Sequence, residues 1–147
     1  MNRAESRKAG FSFVELLVVI LIISILATTV TLVVRNLPAK ARIAKSRTDV
    51  ALLAQAIDTY NAEQGRLPTA EQGLMALCRI PELPPVPRNY PPEGYLNRLD
   101  VPVDPWGNPY VYVIPGPEGK PFEVLSYGGD GEPGGTGEDA DISSLRL

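Results

Sequence analysis

Residues Gly128 to Asp141, GGDGEPGGTGEDAD, hold five carboxylates and six glycines. Carboxylate and carbonyl oxygens are hard donors. Calcium takes about 6–8 of them from side chains, main chain and water. Glycine lets a backbone turn tightly and aim its carbonyls inward, so Asp130, Asp139 and Asp141 can converge on one point. On composition alone the other reading stays open: a disordered acidic tail, because such a segment has little to bury. The EF-hand pattern D-x-D-x-D-G is absent. The chain has no His and a single Cys, Cys78. That removes Ser–His and Cys–His nucleophiles, histidine zinc sites and an intramolecular disulfide, and leaves a soft metal without ligands. No acid–base pair in a cleft is indicated, and the expectation is a protein that is not an enzyme. Cys78 reads as a small buried apolar residue or an idle thiol.

The second residue that demands a chemical reason is Glu15. It lies near the start of GFSFVELLVVILIISILATTVTLVV, residues 10–34, and is the one charge in that stretch. Phe11 to Val34 is 24 residues, about 36 Å of helix against a hydrocarbon core of ~30 Å. A carboxylate there costs roughly 2.5–3.5 kcal/mol on insertion scales. Arg3, Arg7 and Lys8 precede the run, like the basic end of a signal peptide. The run is longer than the roughly 7–15 residues of a signal core, and no A-x-A cleavage site follows it. A plain signal anchor leaves Glu15 unexplained. Five bases at 35–47 balance those at the N-terminus, so charge alone does not orient the span.

The elements that must position these residues follow from pattern. Arg35, Lys40, Arg42, Lys45 and Arg47 form a basic run, while residues 48–147 carry 15 acids against 6 bases. Such an acidic domain is a poor partner for nucleic acid. The basic run suits acidic surfaces of neighbouring copies or anionic lipid. Pro38 implies either a new helix capped by Asn36 or one long helix that bends. Ile43, Val50, Leu53, Ile57 and Tyr60 make one helical stripe, read as a core face, and Gly65 and Pro68 end that helix. Thr69 and Gln72 fit a capping box that restarts a short helix through TAEQGLMALC. Residues 80–109 are loop-rich; their prolines exclude regular strands, with Tyr90, Tyr95 and Leu96 as anchors. Asp104-Pro-Trp-Gly107 has the residue preferences of a type I turn, with Trp106 as a core anchor. Tyr110–Ile114 and Phe122–Tyr127 read as a hairpin around Pro115–Gly119.

RKAGFSFVELLVVILIISILA resembles the type III signal of type IV pilins and pseudopilins: a short basic leader, Gly10, Phe11, and Glu15 inside an apolar helix. The resemblance implies that a prepilin peptidase cuts after Gly10 and methylates the new N-terminus at Phe11. It also orients the chain, leader inside and C-terminal domain outside. Methylation leaves the Phe11 ammonium charged. Glu15 can then pair with the ammonium of a neighbouring subunit, or with its own along the helix, at lower cost than standing alone in lipid. DPWGNPYVYVIPG, SYGGDGEPGG and DADI, together with GRLPTAEQGLMAL upstream, resemble the major pseudopilins of type II secretion systems, the general secretion pathway protein G family. That family commonly has a helix-breaking Pro where this chain has Leu32, and Pro38 lies six residues later.

The resemblance implies an α+β pilin-like fold. A long N-terminal helix, half membrane-spanning and half amphipathic, packs on a small head with a short helix, a β-hairpin and a calcium loop. The expected organisation is a cleaved leader at 1–10, a transmembrane and filament-core helix at 11–34, an amphipathic helix at 35–64, and a periplasmic head at 65–147 with the loop at 127–142. By the same resemblance Ca2+ is held by Asp130, Asp139 and Asp141, with main-chain oxygens of Tyr127, Glu132 and Gly135. The implied partners are copies of itself, the prepilin peptidase, the minor pseudopilins, the inner-membrane assembly platform and the membrane; nucleic acid is not among them. The implied work is to polymerise into a periplasmic filament that drives folded proteins through the outer membrane. A type IV pilin of an adhesion or DNA-uptake fibre, or a non-polymerising membrane-anchored calcium-binding protein, are the alternatives.

Overall fold

The computed structural model describes residues 12–147, with side chains described at 12–24 and 38–147. It divides into two compact units, Met1–Pro38 and Ala39–Leu147. Helix α1 runs Phe13–Gln64 and is helical through Pro38. Of the two readings of Pro38, a new helix capped by Asn36 is therefore set aside. The ring costs one main-chain bond, since Pro has no N–H to donate.

Phe13 to Ile23 leave their apolar side chains 45–76% exposed, with Phe13 at the top of that range. Contiguous apolar surface of this kind marks a face that lipid or protein covers. Among the described residues no helix is long and apolar enough to cross a membrane. The side chains described at this end stop at Ser24, and the expected span at 11–34 lies partly outside them.

From Ala39 the helix is rich in Ala, Lys, Arg, Leu and Gln, all good helix formers. Lys45 pairs with Asp49 one turn on. The hydroxyls of Thr48 and Thr59 donate to the carbonyls of Ala44 and Gln55 at 3.0 and 2.9 Å, closing back on their own helix. Gly65 ends α1 at φ +69°, its N–H donating to Asn61 O at 2.8 Å, a left-handed cap that suits glycine. The expected stripe is the core face: Val50, Leu53, Ile57 and Tyr60 are buried, with Ile43 packed at its edge.

The capping box forms reciprocally. Gln72 N–H donates to Thr69 Oγ at 3.2 Å, and Thr69 N–H to Gln72 Oε1 at 3.1 Å. No α-helix follows. Gly73 takes φ +56°, and the chain makes only a 3₁₀ turn, Leu74–Leu77. Cys78 is buried, which pushes its thiol up. Tyr90, Tyr95 and Leu96 anchor the proline-rich loop on the core, the Tyr95 ring tilted against Tyr60 at 5.2 Å and Tyr90 edge-on to Tyr95 at 5.4 Å.

The sheet has three antiparallel strands in the order β1 (Val111–Val113), β2 (Glu123–Ser126), β3 (Ile142–Ser143). β1 and β2 are the expected hairpin, shorter at both ends. β3 was not expected. It pairs Ser126 with Ile142 and Leu125 with Ser143, so residues 127–141 are a β2–β3 connection tied at both ends. That disposes of the free acidic tail.

Three buried or half-buried phenols set an alkaline limit on the head. Burial pushes Tyr90 and Tyr112 up to about 12. They donate to the carbonyls of Ala76 and Pro68, each at 3.0 Å, bonds a phenolate cannot make. Tyr110 is raised further, first by burial and then by its 2.9 Å bond to Asp49 Oδ2. An unfolded Tyr ionises near 10. These groups stabilise the fold fully below that pH, and their contribution is lost as pH rises towards 12. The melting temperature should be level to about pH 9.5 and fall steeply between about 10 and 12, with Tyr112→Phe flattening part of the fall. Circular-dichroism melts across that range check this; a flat profile would refute it.

Candidate functional site

The glycine loop sits on a turn whose key is a buried carboxylate. In Asp104–Asn108 the Gly107 N–H donates to Asp104 O at 3.0 Å, closing the expected turn, with Gly107 at φ +98°. Asp104 is 3% exposed. Its Oδ1 accepts from the N–H groups of Trp106 at 3.1 Å and Asn108 at 2.8 Å. Its Oδ2 accepts the Ser126 hydroxyl at 2.7 Å. Ser126 is fully buried, and its Oγ accepts in turn from Gly128 N–H at 3.3 Å. Asn108 Nδ2 donates to Gly128 O at 2.9 Å. The turn thus holds the end of β2 and the first glycine of the loop through one carboxylate and one amide.

Within the loop, Gly128, Gly131, Gly134, Gly135 and Gly137 all take positive φ. Gly128 and Gly135 have no room for a side chain: an added Cβ would lie 2.7 Å from Glu138 O and 2.3 Å from Asp139 O, respectively. The two limbs are joined where Gly129 N–H donates to Glu138 O at 2.9 Å. Farther on, Asp141 N–H donates to Gly134 O at 3.2 Å, and both Asp141 carboxylate oxygens accept from Gly134 N–H at 3.0 Å.

The three expected carboxylates are therefore placed differently. Asp139 is exposed, with its Oδ1 against Gly129 and its carbonyl against Gly135. Asp141 is turned onto Gly134. Asp130 accepts from Glu132 N–H at 3.1 Å, a local turn. Among the described residues no group of three or more His, Cys, Asp or Glu side chains is gathered to hold a metal ion. The donors are nonetheless all oxygen, and a carboxylate that accepts one N–H keeps further lone pairs. The donor chemistry fits a hard divalent cation drawing on carbonyls as much as on aspartates. Tyr127 follows β2, and Glu132 and Gly135 lie within the loop, Gly135 packed against Asp139.

Two residues of this site were not anticipated. Glu138 Oε1 meets Trp106 Nε1 at 3.4 Å and the Arg42 guanidinium of α1 at 3.5 Å. Nothing in the sequence separates Glu138 from its acidic neighbours or Arg42 from its basic ones. Asp104 was legible as a turn residue and not as a buried hub. At the other end of the chain, Glu15 lies in the first turn of α1 with its side chain exposed. Gly10 and Phe11 lie outside the described residues.

Comparison with known proteins places these features. The family model described as type II secretion system (T2SS), protein G matches residues 33–145. A model of the prokaryotic N-terminal methylation motif matches residues 6–31. The type II secretion system core protein G of Pseudomonas aeruginosa is 41% identical over 138 residues, covering 94% of this chain and 95% of its own. That of Escherichia coli K12 is 43% identical over 145 residues, covering 99% and 96%. The crystal structure of the major pseudopilin from the type 2 secretion system of enterohaemorrhagic Escherichia coli superposes with a TM-score of 0.62 at 38% identity, covering 74% of this chain and 90% of that one.

Proposed function

The chain belongs to the type II secretion system protein G family and is a major pseudopilin, and we propose on that footing that it is processed, anchored and assembled through the first turns of α1. The observation that carries this is continuity: the methylation motif at 6–31 runs into the protein G match at 33–145 in one chain. The prepilin peptidase removes residues 1–10 and methylates Phe11. Residues 11–34 then anchor the product in the inner membrane, residues 35–64 form the amphipathic half of the helix, and residues 65–147 form the periplasmic head.

Glu15 has a physical role in assembly. Its carboxylate is costly in lipid alone and less so beside the Phe11 ammonium of an adjacent subunit. Pairing drives the helix out of the bilayer and sets the register of the filament, which the exposed apolar side chains of residues 13–23 line. The minor pseudopilins and the inner-membrane assembly platform are the partners of that step. The protein's work is mechanical, not enzymatic.

The loop at 127–142 holds Ca2+ through Asp130, Asp139 and Asp141 with main-chain oxygens of Tyr127, Glu132 and Gly135. When bound, calcium supplies a doubly charged centre that gathers oxygen ligands. The chain's part is to bring the two limbs together at Gly129 and Glu138 and to hold them on the Asp104 turn.

The mass of the protein recovered from membranes of cells with and without prepilin peptidase tests the processing. A product beginning at methylated Phe11, found only with the peptidase, is expected. An uncut form beginning at Met1 in both strains would overturn the assembly reading.

A further inference from the structure

We infer that Glu138 and Arg42 form a clasp that couples the state of the glycine loop to the basic segment of α1. The inference rests on the calcium reading above and adds a positioning role for two residues outside the expected ligand set.

Glu138 acts in three directions at once. Its carbonyl accepts from Gly129 N–H at 2.9 Å, beside Asp130. Its chain neighbour is Asp139, with which it shares the 3₁₀ turn Gly137–Asp139. Its side chain points away from the loop, and one oxygen, Oε1, meets both Trp106 Nε1 and the Arg42 guanidinium. Arg42 lies on α1, far from the loop in sequence, within the basic run 35–47. A brace on Glu138 therefore holds the limb that carries Asp139 against the limb that carries Asp130. Reciprocity follows from linkage: whatever Arg42 contributes to ion binding, the ion contributes to holding Arg42 against the loop. With the loop open, one more cation of α1 is free to meet a neighbouring subunit.

The sign of one substitution separates this from simple electrostatics. Arg42→Gln removes a positive charge near a dication. Through-space repulsion alone makes binding tighter, weakly so at ~0.15 M salt. The clasp makes it weaker. The Arg42 and Glu138 side chains are 50% and 39% exposed, so the effect is about two- to fivefold, the range of an exposed ion pair.

The experiment is a CaCl2 titration of the full chain in detergent micelles, by calorimetry and by the emission of Trp106, the only tryptophan. Arg42→Gln should weaken Ca2+ binding about two- to fivefold. Arg42→Lys, which keeps the charge, should restore most of it. The double variant with Glu138→Gln should be no weaker than Glu138→Gln alone, since both remove one interaction. Unchanged or tighter binding by Arg42→Gln, with the parent chain binding normally, would overturn the clasp and leave the calcium reading standing. No binding by the parent chain at millimolar Ca2+, the weak end of extracellular sites, would overturn the calcium reading and the clasp with it.

Discussion

Asp104→Ala is expected to destabilise the head by about 3–5 kcal/mol. The substitution strands three donors at once: the N–H groups of Trp106 and Asn108 and the hydroxyl of Ser126. Asp104 and Ser126 are buried, so water does not readily replace the lost acceptor. A buried donor left unpaired costs about 1–3 kcal/mol, and bonds to a charged acceptor lie at the upper end of the scale. Asp104→Asn keeps one carbonyl acceptor for the two N–H groups. Its amide then faces Ser126 Oγ, which already accepts from Gly128 N–H and loses its own acceptor. That variant should cost about half as much. Denaturant unfolding followed by Trp106 emission reads both. Equal, small losses would mean that the turn holds without its carboxylate.

Gly135→Ala is the second large effect. An alanine there needs φ +76° and places its Cβ 2.3 Å from Asp139 O. The conformation alone costs about 1–2 kcal/mol. The contact is with main chain, which gives way only if the loop moves, for a total of about 2–4 kcal/mol. Gly137→Ala is the matched control: φ is +68° and nothing lies within 4 Å of the new methyl. It should show the strain without the displacement. Because the atom displaced belongs to Asp139, Gly135→Ala should also weaken Ca2+ binding at least about tenfold, while Gly137→Ala stays within a few-fold. Limited proteolysis gives the second readout. Gly135→Ala should be cut in the loop with or without the ion, as is expected of the parent chain after chelation. If the two variants behave alike, backbone strain is sufficient and the close approach of Gly135 to Asp139 carries no function.

Much of this protein could be read from the chain because the determinants are local. A helical stripe from Ile43 to Tyr60, the Gly65 stop, the Thr69–Gln72 box and the Asp104–Gly107 turn each depend on residues a few positions apart. They form as expected because nearby geometry alone selects them. The same locality explains the one helix that failed. The capping box formed, but Gly73 in a left-handed conformation turned the chain before a second α-helical turn could propagate.

What the tertiary structure decided lies at long separation. β3 is two residues long, too short for any periodic signal, and exists because Ser126 and Leu125 offer it a partner. That pairing converts an acidic glycine segment, compatible on composition with disorder, into a loop fixed at both ends. Asp104 is buried together with Ser126 of β2, whose hydroxyl donates to its Oδ2. The clasp at Glu138 came from Trp106 and from Arg42, residues distant in sequence that share no local pattern with it. Residue types and spacing determined which chemistry was available: hard oxygen ligands and one acid in an apolar run, with no histidine. Packing decided where those oxygens face, because only the closed chain brings distant backbone and side-chain donors within bonding distance.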